Sequence, residues 1–508
     1  MLNKTAFLLF LIAALQSCSL KFNTPDSSDG DITDTNTNNN STTGSPVPSS
    51  FVIQFGAVTH TVGGNNEGND SCMDVTTDAE GNIYCAGQTN GSLAEANGGN
   101  IDAFVIKTNA SGVIQWATQL GAITHITGGS SAGIELVRGV AVDNSGNVYF
   151  GGRTNGSLGE ANGGSYDAYV AKLNSDGELI WVTQLGATTK GFPGGSNAAT
   201  DYCSGIDIDG SGNVYCGGYT EGAIGEANGG GEDVFIIKLD PNGVIQWATQ
   251  LGAVTVAPTG VNNAGNDQCL GVAADSSGAV YCTGTTASSM GEVKSGVWDT
   301  YILKLNSDGE LQWVTQLGSV TKAPGGNNSG TELCYGVKAD DSGNVYASCD
   351  TDGSVGEANG GGNTDIFVFK LNSSGALQWI TQLGAVTHVE GGDSSGQDNA
   401  RNVTIDASGN TYTAGQTTGS LGEPIAGSRD MYVMKMNPSG GIEWLTQLGT
   451  VTHTEGGDNS GMDACVGIHV DSSGSIFGAV NTNGAMGEAN GGSYDAAIVK
   501  LDPNGHLN

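Results

Sequence analysis

Short stretches of alternating apolar and polar residues, separated by glycine-rich turns, run from residue 51 to the end of the chain. In one representative unit they cover Gly139 to Asp143, Val148 to Gly152, Asp167 to Leu173 and Leu179 to Leu185. Stretches this short, bounded by turn residues, predict strands and not helices. D-N-S-G-N from Asp143 joins the first pair and N-S-D-G-E from Asn174 the last, each with a Gly to supply the positive φ of a tight turn.

The unit repeats. Trp116, Trp181, Trp247, Trp313, Trp379 and Trp444 each begin W-x-T-Q-L-G, at spacings of 65, 66, 66, 66 and 65, and Phe51 begins a degenerate copy, FVIQFG, 65 residues before the first. Four antiparallel strands in seven copies describe an all-β fold, a seven-bladed β-propeller with one blade per unit. The last unit stops at Asn508, before its own W-x-T-Q-L-G strand, and Phe51 to Gly56 is an orphan copy of that strand at the other end. The N-terminal strand is therefore expected to complete the last blade as its outermost strand, closing the ring and removing a free edge.

The run GVAVDNSGNVYFGGRTNGSLGEANGGSYDAYVAKLNSDGELIWVTQLG, from Gly139, resembles the bacterial beta-propeller repeat family, whose members are often exported. Its G-V-A-V-D…G-N-V-Y opening is similar to NHL repeats. The resemblance covers 51–508 and implies the propeller fold, but propellers host unrelated activities.

Residues 1–17 have a different character: Lys4 precedes an apolar run from Ala6 to Leu15, and Cys18 follows at once. This reads as a signal peptide, too short for a permanent membrane span. Leu15-Gln16-Ser17-Cys18 resembles a bacterial lipobox, with Gln16 closer to the relaxed lipoboxes of spirochaetes. Such a site implies that Cys18 becomes an acylated N-terminus and the membrane anchor; the alternative is an ordinary secretory signal with a chance Cys. Residues 18–50, rich in Ser, Thr, Asn and Asp after that Cys, are expected to form a disordered tether. The expected address is the bacterial cell envelope, by lipid on the outer membrane, with the periplasmic or surface-exposed face left open.

Composition narrows the partners. Against 17 Lys and Arg stand 52 Asp and Glu, a net charge of −35, which argues against nucleic acid because phosphate binding needs a basic surface. The 84 Gly serve turns and loops. Asp143 and its counterparts Asp78, Asp209, Asp275, Asp340, Asp406 and Asp471 open the first hairpin turn, where an Asp can accept backbone N–H groups. A Lys closes the third strand of every unit, Lys107 to Lys500, with an Asp five residues earlier, and ion pairs are the simplest reading. The Trp series is expected to pack between blades.

Cysteines occur in pairs or not at all in six of seven units: Cys72 and Cys85, Cys203 and Cys216, Cys269 and Cys282 are 13 apart, and Cys334 and Cys349 are 15 apart. In an exported chain this suggests disulfides across the first hairpin. Simple pairing around the turn would put Cys216 opposite Ile206 and away from Cys203, so a bulge near Gly205 is required; buried free thiols are the alternative. Cys465 has Gly478 as its counterpart and no partner.

Connections two-to-three and four-to-one are long and lie at one end of the blades, the expected working face. Glu95, Glu160, Glu226, Glu292, Glu357, Glu423 and Glu488 recur in the first loop. Asp70, Glu135, Asp201, Asp267, Glu332, Asp398 and Asp463 recur at the end of the second. Either they accept loop N–H groups or they bind a divalent cation, with Ca²⁺ suited to hard oxygen ligands on flexible loops; no cofactor is required. His60, His125, His388 and His453 occupy four consecutive long loops, too far apart for one zinc, and are candidate ligand contacts whose protonation would offset the acids. Departures from the repeat mark further candidates: Arg138 and Arg401 in the two units without cysteines, and Lys294 and Trp298 in the fourth.

No nucleophile elbow joining strand to helix, no H-E-x-x-H helix and no phosphate loop opening a helix can be read, so no catalytic residue is assigned. The sequence is read as a lipid-anchored extracytoplasmic binding scaffold for a protein, a glycan or an envelope component. The alternative is a polysaccharide-active lyase or hydrolase with its site at the channel mouth.

Overall fold

The computed structural model describes residues 49–55, 69–94, 97–121, 133–186, 199–252, 265–318, 330–356, 359, 363–384, 396–422, 424–449, 461–484, 486 and 494–507. Twenty-eight strands form seven four-stranded antiparallel sheets, and the described residues contain no helix. In blades 1 to 6 the four strands follow in chain order. Blade 1 runs Asp70–Thr77, Ile83–Thr89, Asp102–Thr108 and Ile114–Leu120. Blade 7 has Asp463–Val470, Ile476–Thr482 and Asp495–Leu501, and its fourth strand is Phe51–Phe55, paired Phe51 to Lys500 and Phe55 to Ala496. The first strand of each blade packs on the first strands of both neighbours, including blade 7 on blade 1, so seven inner strands surround a central channel. The ring is closed by the N-terminal strand.

Local chemistry makes each blade alike. Asp143 Oδ1 accepts the N–H groups of Ser145 and Asn147, while Oδ2 accepts Asn147 Nδ2 and the Tyr149 hydroxyl. Burial opposes ionisation there, but these hydrogen bonds outweigh it and hold Asp143 below the usual carboxylate range. Gly146, at φ 76°, completes the turn. At the other end of the blade, Gln184 of T-Q-L-G binds four partners. Its Oε1 accepts the N–H groups of Leu158 and Gly159, and its Nε2 donates to Gly156 O and Asp167 Oδ2. This pins the two-to-three loop to the outer strands.

The Trp series packs between blades, as the repeat suggests. Trp116 Nε1 donates to Ser175 O of blade 2 at 2.9 Å, and Thr118 Oγ1 to Gly177 O at 2.6 Å. A side chain at Gly177 would run into the Trp116 ring, so Gly is needed for space as well as for its φ of 85°.

The Lys series meets the ion-pair expectation at Lys435, 3.0 Å from Glu443 on the fourth strand of its blade, but the contact it shares is with an aromatic ring. Lys172 Nζ stands 4.8 Å from the Tyr149 ring centroid and donates to Pro241 O of the next blade. The Asp five residues earlier points to the opposite face, because an odd offset along a strand reverses the side chain; Asp167 accepts from Gln184 instead.

Four cysteine pairs lie at disulfide distance: Cys72–Cys85, Cys203–Cys216, Cys269–Cys282 and Cys334–Cys349. The bulge that the first three require is present. Cys203 pairs with Gly218, the register shifts at Ser204, and Ile206 pairs with Cys216, so the two Cys become diagonal neighbours on one face. Cys334 and Cys349 are direct cross-strand partners. Cys465 is free and buried, and burial pushes its thiol well up.

Candidate functional site

The seven inner strands enclose a cavity of about 210 Å³ in the channel, lined by residues from all seven blades. It lies along the middle and C-terminal part of these strands, nearer the short one-to-two turns than the long loops. The inner strands approach closely at a repeated glycine. A Cβ on Gly139, Gly205 or Gly336 would meet backbone nitrogen of the next inner strand at 2.9, 2.9 and 2.6 Å. At the same position blades 1 and 6 carry Asp74 and Asn402, whose side chains instead make polar contacts. Asp74 Oδ2 accepts Val140 N–H, and Asn402 Nδ2 donates to Asp74 Oδ1 at 3.3 Å.

The residue before this glycine, bulged out of the ladder, is different in nearly every blade: Met73, Arg138, Ser204, Leu270, Tyr335, Arg401 and Val466, all lining the cavity. Arg138 Nε donates to the Tyr202 hydroxyl. The Tyr202 ring lies 5.5 Å from the Arg138 guanidinium and 4.7 Å from that of Arg153. Arg401 lies over the Tyr335 ring at 4.9 Å and beside Asp350, which also accepts Asn399 Nδ2. Two residues further along the inner strands, Lys338 reaches across blade 4 to Asp207 at 3.4 Å, and His469 faces the same space.

Burial shifts these groups, in the cavity wall and, for Asp350, on the second strand of blade 5 beside it. It raises Asp74 to about 6, against the hydrogen bonds from Val140 and Val75 and the attraction of Lys338. It raises Asp350 to about 7, against the pull of Arg401. Asp207 keeps Lys338 above its ordinary value in spite of burial. Burial, with Lys338 nearby, lowers His469 to about 4. Carboxyls near neutrality beside fixed cations can take up or release a proton as ligand binds.

Of the residues singled out in the sequence, Arg138 and Arg401 meet in this cavity. Lys294 and Trp298 do not: they lie on the two-to-three loop of blade 4, where Trp298 bridges to Thr331 of blade 5. Asp70, Glu135, Asp201, Asp267, Glu332, Asp398 and Asp463 are all buried, at most 1% exposed. Thr hydroxyls donate to six of them, for example Thr154 to Glu135 and Thr351 to Glu332. Glu160, Glu226 and Glu292 are exposed. Among the described residues, no three His, Cys, Asp or Glu side chains are grouped to hold a metal ion. Cys18, Glu95, Glu357, Glu423, Glu488, His60, His125, His388 and His453 lie outside the described residues.

Sequence reasoning missed Asp74, Asp207, Lys338, Tyr335, Asn402 and His469. Their signal was a break in the repeat, such as Asp74 and Asn402 standing where the other five units have Gly.

The family profile described as Beta-propeller repeat matches residues 51–94, 115–160, 180–226, 246–289 and 378–423. The chain belongs to the beta-propeller repeat family. Each matched repeat starts in the outermost strand of one blade and ends in the two-to-three loop of the next. In this beta-propeller repeat protein the sequence unit is thus offset from the blade by one strand, which is why the first copy supplies the closing strand. No curated protein matches the chain. Solved structures similar to this beta-propeller repeat protein include a protein of unknown function from Bacteroides caccae, with 11% identity over 68% of this chain and 90% of that one at a TM-score of 0.35. A polysaccharide lyase described as an ulvan lyase has 10% identity over 85% and 94% at 0.43. A Hadza microbial sialidase has 10% identity over 80% and 74% at 0.37.

Proposed function

We propose that this protein is a lipid-anchored, extracytoplasmic binding scaffold whose recognition site is the central channel. One observation supports the channel above the outer surfaces. Turns, seams and clamps are repeated almost unchanged from blade to blade, whereas the bulged inner-strand position varies from Arg to Ser, Leu, Tyr, Met and Val around a single cavity. Repetition maintains the ring; a ligand without sevenfold symmetry requires its loss. The cavity of about 210 Å³ is smaller than the roughly 300–1,000 Å³ of typical ligand clefts. It therefore suits a small molecule or the end of a glycan and not the length of a polymer. The address rests on Lys4, the apolar run and Cys18.

A glycan and protein array probed with the soluble propeller tests the function. Binding lost in the double variant Arg138→Ala, Arg401→Ala supports the channel; binding retained by that variant, folded, rejects it. Consumption of a bound glycan, followed by mass spectrometry, would replace the scaffold with an enzyme. Metabolic labelling with a palmitate analogue should mark the full chain and not Cys18→Ala, and equal labelling of both would rule out the anchor.

A further inference from the structure

We propose that the channel cavity binds a small molecule carrying a carboxylate, with Arg138 and Ser204 as the groups that receive the anionic end. The inference rests on the channel reading above and names the ligand's chemistry.

Arg138 is the cavity's cation without an acid. Lys338 is paired with Asp207, and Arg401 lies beside Asp350. Among the described residues, Arg138 donates to the Tyr202 hydroxyl and approaches Met73 Sδ at 3.9 Å, a weak acceptor, with no carboxylate in contact. A guanidinium has five N–H donors, so most of this one's capacity remains for a ligand. Its planar fork fits two carboxylate oxygens at once.

Next to it in the ring is a second, independent feature. Ser204 is 7% exposed and lines the cavity, and its hydroxyl has no hydrogen-bond partner among the described residues. A buried hydroxyl left without a partner is costly; its oxygen is itself covered, so a turn of the Ser204 side chain toward the cavity would bring it to a ligand oxygen. Arg153, on the far side of the Tyr202 ring, adds positive potential at the same arc, and its Nε is also buried without a partner.

The neighbouring walls set the rest of the ligand. Met73 and Leu270 flank Arg138 and Ser204 with apolar surface at the same level, Tyr335 and Arg401 stand opposite, and Lys338, two residues further along its strand than Gly336, offers a donor. A cavity of about 210 Å³ lies just below the roughly 300–1,000 Å³ of typical ligand clefts. That admits a small organic acid or one acidic sugar. A free acid and a uronate at a glycan end share this chemistry, and the probes separate them.

Calorimetric titration of the folded propeller with acetate, D-glucuronate, trigalacturonate and neutral D-glucose tests the proposal. Glucuronate is expected to bind and glucose not to. Arg138→Ala should weaken glucuronate at least about tenfold, Ser204→Ala less, and Lys294→Ala, outside the channel, not at all. Trigalacturonate binding as well as glucuronate would identify a glycan end; acetate and glucuronate alone would identify a free acid. Equal binding of glucose, unchanged binding in Arg138→Ala, or no binding of any acid overturns the proposal. Should Arg138→Ala not fold, Arg138→Lys retains the charge without the fork and must still weaken binding. A positive array with no acid bound would leave the scaffold standing and reject the carboxylate. Acid binding with a silent array would do the reverse.

Discussion

Gln54 and Asp495 are 441 residues apart in the chain, and Gln54 Nε2 donates to Asp495 Oδ2 at 2.6 Å. Gln54 also donates to Gly484 O, and its Oε1 accepts Met486 N–H. Gln184 makes the same three bonds within blade 2, with a fourth from Gly159 N–H. The closing strand thus brings more than a ladder: it carries the side chain that holds the last two-to-three loop. Deleting 51–55 should expose the edge of Asp495–Leu501 and cause aggregation or a large loss of thermal stability, while deleting 19–48 should change little. Gln54→Ala alone should cost on the order of 3 kcal/mol, because buried Asp495 loses a donor. If both truncations melted alike in calorimetry, closure would have no energetic role.

The same strand makes the weakest seam. Where other blades have Trp and Thr, Phe51 and Ile53 face the turn at Gly112, and neither side chain can donate to a carbonyl. Trp116 and Thr118 each donate at the corresponding places in the next seam. The pair Phe51→Trp and Ile53→Thr should therefore add donors toward Ala110 O and Gly112 O and stabilise the ring by about 1 kcal/mol. A denaturant midpoint that fell in the double variant would show that apolar packing at this seam outweighs hydrogen bonding.

Much of this was legible in the sequence, since seven near-identical copies over-determine a ring, and even the bulge beside Gly205 follows once Cys203 and Cys216 must meet. Ion pairs within or between blades are the reading that the Lys series invites, and Lys435 makes one with Glu443; the contact common to the series, as of Lys172 with the Tyr149 ring, is with an aromatic residue on the neighbouring strand. The channel was harder. Arg138 and Arg401 stand out against cysteine-bearing units, but Asp207 and Lys338 come together only when blades 3 and 5 face each other across the ring. Asp207 and Lys338 each break the repeat, but nothing in the repeat says that two breaks two units apart meet.

The thiols give a chemical test of the hairpins. In a chain beginning after Cys18, intact mass should show four disulfides and one free thiol, Cys465. Because Cys465 is buried and its thiol is raised well above the ordinary value, it should react with iodoacetamide only in denaturant. Nine modified cysteines without reductant would exclude the pairing.

Acid should strengthen binding of a carboxylate probe in the channel. Asp74, at about 6, gains its proton between pH 7.5 and 5.5, and Asp350, at about 7, does so beside Arg401. His469, at about 4, stays neutral over this range, and Lys338, raised by Asp207, stays charged. Both changes remove negative charge from a site that also holds Arg138 and Arg401, so glucuronate, ionised at both values, should bind several-fold more tightly at pH 5.5. Stability moves in the same direction for a related reason. A carboxyl raised from 3.8 to about 6 binds more protons in the folded than in the unfolded chain, so its burial penalty is absent below about pH 4 and complete above about pH 6. Asp74→Asn keeps an acceptor for Val140 N–H but turns an amide NH2 toward the donors Val75 N–H and Asn402 Nδ2, so its stability relative to wild type should rise by about 1–3 kcal/mol from pH 4 to pH 7.5, whatever its value at pH 4. The same variant should bind glucuronate more tightly at pH 7.5 and lose part of the pH dependence, the remainder belonging to Asp350. Binding that weakened in acid, in both proteins alike, would mean that Asp74 does not share the field of Arg138.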